Sequence, residues 1–174
     1  LDYPNLQYHI QPLSLDAFGE PLHRFSAITA SVCNLQPDSC GSVTIRSPYA
    51  DDNPIIKPNY LSSQTDKDIA AKSITLTRNI FATEAMQKYE PLEFLPGAHH
   101  QTPQALAEQA GNISTSIFHP VGTAKMGTGK DAVVDNELNV YGVQNLRVVD
   151  ASIMPKITSG NTNSPTMMIA EKAS

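Results

Sequence analysis

The stretch Ser116-Ile117-Phe118-His119-Pro120-Val121-Gly122-Thr123-Ala124-Lys125-Met126-Gly127 sets a histidine at the entrance to a rigid turn. Pro120 fixes its own φ and pushes His119 towards an extended backbone. Gly122 and Gly127 permit positive φ or the close approach of another backbone. The imidazole therefore sits on stiff, irregular chain beside apolar Ile117 and Phe118. Imidazole is the side chain suited to taking up a proton at neutral pH, so His119 is a candidate general base. Taken alone, the segment reads more simply as a hydrogen-bonded core histidine in a tight turn.

Downstream, Leu146-Arg147-Val148-Val149-Asp150 reads as a short apolar strand ending in an acid. A carboxylate at a strand end often faces a ligand, and it serves equally well as the cap of a turn. Met154-Pro155 breaks the chain. Ser159 to Asn163 is a polar loop, and Pro165 is expected to begin a helix through Met167, Met168, Ile169 and Ala170. The start of such a helix offers free N–H groups and positive potential; a plain capped helix is the alternative.

Upstream, Leu6–Ile10 alternates and predicts a strand. Phe25–Cys33 predicts a second, longer one and Ser42–Arg46 a third, separated by turn-forming stretches at Ser14–Leu22 and Pro37–Gly41. Thr65 is placed to N-cap a helix with Asp66 and Asp68 in its first turn. Ile69, Leu76 and Ile80 form its apolar stripe, and it should run to about Met86 and cover the sheet. Tyr89–Gln101 reads as an exposed loop containing His99 and His100. Thr102-Pro103 opens a short helix, with Gly111 as its stop signal. The fold class is therefore α+β, a mostly antiparallel sheet covered by helices on one face. We divide the chain into residues 1–115, sheet plus helices, and residues 116–174, the histidine segment with the strand, loop and helix that follow.

Composition excludes several classes. The chain has 174 residues, 40% apolar and 17% charged, with net charge −5, and no basic run suited to nucleic acid. No apolar stretch approaches the ~18 residues of a membrane span. Cys33 and Cys40 form no C-x-x-C pair and have no histidine cluster nearby, so no metal site is expected; whether they pair is left open. Gly122 to Gly127 has the glycine spacing of a phosphate loop, but Thr128 stands where Lys is required. No G-x-S-x-G supplies a hydrolase nucleophile.

Three blocks taken together point further. His119-Pro120-Val121-Gly122-Thr123, the run Ala132 to Pro155, and Ser159 to Lys172 resemble the C-terminal signature of the glucose-methanol-choline (GMC) flavin oxidoreductases, nearest to the choline and alcohol dehydrogenase branch. Gly41–Ser47 followed by Pro54–Leu61 is similar to a strand pair of that family's substrate-binding domain, although Cys40 replaces the Arg common before the glycine. The resemblance implies an enzyme that oxidises a primary alcohol, with choline as one candidate, using FAD. It implies His119 as the base and Asn163, which can both donate and accept, as the second catalytic residue. Asp150, Ala151, Thr166 and Met167 are implied as FAD contacts. The chain lacks a G-x-G-x-x-G for the pyrophosphate. The expected partners are thus the alcohol and an N-terminal FAD-binding domain of the same protein, and the chain alone is expected to be an inactive fragment that does not retain FAD. A cytoplasmic or peripheral inner-membrane location is expected. A catalytically silent relative is the alternative.

Overall fold

The computed structural model describes residues 3–17 and 19–174. Phe18, within the connector read at Ser14–Leu22, lies outside the described residues. The chain forms two compact units. One takes the chain up to Asn34 together with Gln64–Ile113; the other takes Leu35–Ser63 and Ser114–Ser174. The strands pair antiparallel in two separate two-stranded sheets rather than one, within the expected α+β class. No helix among the described residues is long and apolar enough to cross a membrane.

In the first unit, β1 (Leu6–Gln11) pairs with β2 (Thr29–Asn34), in register from Leu6 opposite Asn34 to Gln11 opposite Thr29. β2 begins later than the Phe25–Cys33 run suggested. Phe25 instead stacks on His23 at 4.9 Å and meets Phe94 edge-on at 5.2 Å, and this aromatic cluster keeps residues 25–28 off the sheet.

Helix α1 (Gln64–Phe81) packs against β2. It starts before Thr65, which therefore lies inside the first turn rather than capping it. Its buried face is Asp66, Ala71 and Ser73. Asp66 accepts a hydrogen bond from Asn34 Nδ2 (3.1 Å), and Thr77 Oγ1 meets the Tyr8 hydroxyl of β1 (3.0 Å). The expected stripe is not the core: Leu76 and Ile80 are 43% and 41% exposed. Small and hydrogen-bonding side chains let the helix come close to its neighbours, and the bulkier ones are turned aside.

The helix also ends short of Met86. Thr83 has an extended backbone (φ −67°, ψ 151°), and its hydroxyl donates to the Ile80 carbonyl (2.8 Å). Such local bonds compete with helix continuation, and α2 (Glu84–Gln87) is a separate turn. Helix α3 (Pro103–Ile113) is capped as expected, Thr102 Oγ1 accepting from Ala105 N–H at 3.2 Å. It runs past Gly111, because Leu106 and Ala110 are buried in its packing against α1, and this outweighs the ~1 kcal/mol that glycine costs in a helix. Arg78 organises the loop between α2 and α3. Its guanidinium grips Glu93 (2.9 and 2.8 Å) and the carbonyls of His100 (2.8 Å) and Gly97 (3.2 Å). No group of His, Cys, Asp and Glu that could hold a metal occurs among the described residues. Cys33 and Cys40 are free thiols.

In the second unit, β3 (Ser42–Thr44) pairs with β4 (Ile55–Lys57), Ser42 opposite Lys57. The base of this hairpin needs glycine, since a Cβ on Gly41 would lie 2.1 Å from the Lys57 carbonyl oxygen. The rest of the unit is mostly loop, folded around Val134, which is fully buried. Lys125, Gly127 and Tyr141 bond to the backbone of Val133 and Val134. The strand expected at Leu146–Asp150 does not form; Arg147 contributes only an isolated bridge to Asn139. Asp135 stiffens the adjoining turn. Its Oδ1 accepts from the backbone N–H groups of Glu137 (2.8 Å) and Asn139 (2.9 Å). These bonds, that from Asn139 foremost, hold its carboxyl below the usual carboxylate range.

Two stability predictions arise here. Gly41→Ala forces backbone apart and should lower stability by roughly 1–3 kcal/mol, seen as a fall in thermal midpoint; an unchanged midpoint would show that the hairpin base has room to spare. For Asp135, the depressed folded-state pKa means its stabilisation is complete above the unfolded value of ~3.9 and is lost as pH falls through the folded value. The stability deficit of Asp135→Ala should therefore shrink in denaturant titrations as pH drops below about 4. A deficit that stays constant into strong acid contradicts this.

Candidate active site

The histidine segment enters through a left-handed residue. Phe118 has φ 64°, and its N–H donates to Ser116 Oγ (2.9 Å). A bulky residue rarely adopts this conformation, which costs of order 1–3 kcal/mol. The chain beyond it is held firmly. At Gly122 (φ 86°) an added Cβ would lie 3.3 Å from the Met154 carbonyl oxygen. Ala124 and Met126 then donate to the carbonyls of Ser152 (3.0 Å) and Ile153 (2.8 Å). The turn that follows His119 is thus bonded along the single 3-10 turn Ala151–Ile153.

His119 is half-buried. Its Nδ1 lies 3.0 Å from Thr162 Oγ1. Nε2 has no hydrogen-bond partner among the described residues, so one ring nitrogen is anchored and the other is available to a ligand. Thr162 is itself buried, 8% exposed. It immediately precedes helix α4 (Asn163–Ala173), which begins two residues before Pro165 rather than at it.

The remaining candidates fall as follows. Asn163 is the first residue of α4 and exposed; its Nδ2 is 3.7 Å from Met167 Sδ. Thr166 sends both its N–H (3.0 Å) and its hydroxyl (2.6 Å) to the Thr162 carbonyl. Met167 is 64% exposed. Asp150 caps the 3-10 turn, its Oδ1 accepting from Ser152 N–H (2.8 Å). Ala151 opens that turn and is half-buried. The structure therefore joins His119 to Thr162 and the start of α4. Asp150 and Ala151 meet the histidine segment through the turn they build.

Two residues were not singled out from the sequence. Thr162 stands directly before α4 only because the helix begins ahead of Pro165, the start signal that the sequence carries. His9, in the first unit, keeps a buried Nε2 with no hydrogen-bond partner, and nothing in an alternating strand marks such an atom.

The profile of the GMC oxidoreductase family matches residues 37–170, which includes His119, Thr162 and Asn163. The chain belongs to the GMC oxidoreductase family. Among curated GMC relatives, it is 42% identical to an oxygen-dependent choline dehydrogenase of Brucella ovis, over 100% of this chain and 32% of that protein. It is 40% identical to an alcohol dehydrogenase (acceptor) of Pseudomonas putida, over 99% of this chain and 31% of that protein. The chain thus spans about a third of the length of these relatives. The crystal structure of pyridoxine 4-oxidase from Mesorbium loti matches with a TM-score of 0.88 at 30% identity, over 98% of this chain and 33% of that one.

Gly122→Ala tests the seating of the histidine turn. Positive φ and the Met154 carbonyl both oppose a side chain there, so the variant should lose roughly 1–2 kcal/mol of stability. Equal thermal midpoints for variant and parent would disprove the constraint.

Proposed function

We propose that this chain is the substrate-binding and catalytic C-terminal part of an FAD-dependent alcohol dehydrogenase, which oxidises a primary alcohol, choline among the candidates, to the aldehyde. Residues 1–115 form its substrate-binding portion and residues 116–174 the catalytic segment that meets the flavin domain. The observation that carries this reading is the half-anchored imidazole of His119, with Nδ1 held by Thr162, Nε2 without a partner among the described residues, and Asn163 directly after Thr162. The similarity to a choline and an alcohol dehydrogenase supports the substrate class.

The cofactor fits the residues present. Thr162 makes no side-chain cap bond at the start of α4, Pro165 has no N–H and Thr166 N–H is used, so the Asn163 and Ser164 amides are the ones that would face an electron-rich edge. Asn163, Thr166 and Met167 lie at that end, and Asp150 and Ala151 shape the turn bonded to the histidine segment; these would hold the isoalloxazine side of FAD. When bound, FAD supplies the acceptor for the hydride that leaves the carbinol carbon. The protein's own part is acid–base and positional. His119 Nε2 takes the hydroxyl proton, and the Asn163 amide donates to the alcohol oxygen as negative charge builds on it. The chain has no glycine-rich fingerprint for the pyrophosphate, so FAD retention and turnover require the N-terminal domain.

The test is anaerobic mixing of the full-length flavoprotein with choline and with simple primary alcohols. Loss of the oxidised-flavin absorbance is the expected result, and His119→Ala should slow it by about 10²–10⁴-fold. Bound flavin that no alcohol reduces would favour a silent binding module, and unimpaired reduction in His119→Ala would remove the histidine from the reaction.

A further inference from the structure

We propose that Thr162 is the positioning residue of the active site: its hydroxyl accepts the Nδ1 proton of His119, which leaves the Nε2 lone pair free to act as the base. This rests on the reading of His119 as the proton acceptor.

A threonine directly before a helix normally turns its oxygen back to accept from the amide two or three residues on. Thr162 makes no such bond, and its backbone is helical (φ −88°, ψ −3°) rather than extended. The sequence supplies a reason. The third residue after it is Pro165, which has no N–H to offer. With the donor three residues on absent and the Ser164 N–H two residues on left unused, the buried hydroxyl is directed at a ring 43 residues away in sequence, at 3.0 Å. Thr166 fixes the same peptide from the other side through two bonds to the Thr162 carbonyl. The group is thus buried, rigid and committed to one partner.

The consequence for catalysis is tautomeric. A neutral imidazole carries one proton, and it accepts only at the nitrogen that lacks it. The Thr162 amide lies 3.5 Å from Nδ1, beyond the range of a good hydrogen bond. Oγ1, which is closer, can accept. With Nδ1–H donated to Oγ1, Nε2 is the basic nitrogen. After proton transfer the imidazolium keeps the same Nδ1–H···Oγ1 bond, so the ring does not move. Because Asn163 follows Thr162 directly, one residue sets the ring's orientation and begins the helix that carries the second catalytic amide.

The experiment uses the full-length flavoprotein and its variants Thr162→Val and Thr162→Ser. Valine keeps shape and burial while removing the acceptor; serine restores it. Thr162→Val should bind flavin normally and lower the limiting rate of flavin reduction by about 10–100-fold with a smaller change in alcohol KM, and Thr162→Ser should recover most of that rate. Histidine ¹⁵N chemical shifts should show the His119 proton on Nδ1 in the parent and a mixture of tautomers in Thr162→Val. Parent-like reduction by Thr162→Val, failure of serine to rescue, or a parent proton resident on Nε2 would each overturn the proposal. Should no alcohol reduce the parent flavin, the dehydrogenase reading falls by itself, and the tautomer shifts decide the role of Thr162 independently.

Discussion

The contact between His119 Nδ1 and Thr162 Oγ1 is the interaction that fixes the imidazole within the second unit. It joins the histidine segment to the residue directly before α4. The histidine segment is stiffened by Pro120 and by the backbone bonds of Ala124 and Met126 to the 3-10 turn; the loop that carries Thr162 ends in α4. Neither is regular, so the position of the imidazole is set by individual hydrogen bonds and by two unusual backbone angles, at Phe118 and Gly122. A site built this way is precise only while each support is intact, as is common where strained residues gather around a reactive group.

Val134 plays the matching role for packing. It is the fully buried side chain of a unit with little regular structure, and the chain on either side of it bonds to Lys125, Gly127 and Tyr141. Backbone polar groups that would normally be satisfied in a ladder are satisfied here loop to loop. The turn locked by Asp135 shows the same economy, with one carboxylate serving two amides.

Local signals in the sequence marked parts of the scaffold. Alternation gave β1 correctly, and Thr102-Pro103 marked the start of α3, because these signals are local. The pairing of His119 with Asn163 is implied by the resemblance of three sequence blocks to the GMC signature, not by periodicity. The errors share one cause. Ile69, Leu76 and Ile80 predict an apolar face for α1, while the face it buries is chosen by partners distant in sequence, Tyr8 and Asn34. Leu146–Asp150 has strand composition but pairs only through the isolated bridge of Arg147 with Asn139 and its flanking bonds, and Asp150 caps the 3-10 turn. Phe25 belongs by propensity to a strand and is taken by an aromatic cluster. Thr162 falls inside the polar loop Ser159–Asn163 because Pro165 predicts the helix start, whereas α4 begins two residues earlier, directly after Thr162.

The polar face of α1 has a further effect, on registry. A helix packed through leucines can slide by a turn and still find apolar surface. Here the Asp66 carboxylate and the Thr77 hydroxyl must meet Asn34 and Tyr8, and a slide would bury a carboxylate with no donor opposite it. The interface therefore admits one alignment of helix on sheet and penalises the neighbouring ones, as polar contacts in otherwise apolar seams do when they fix register.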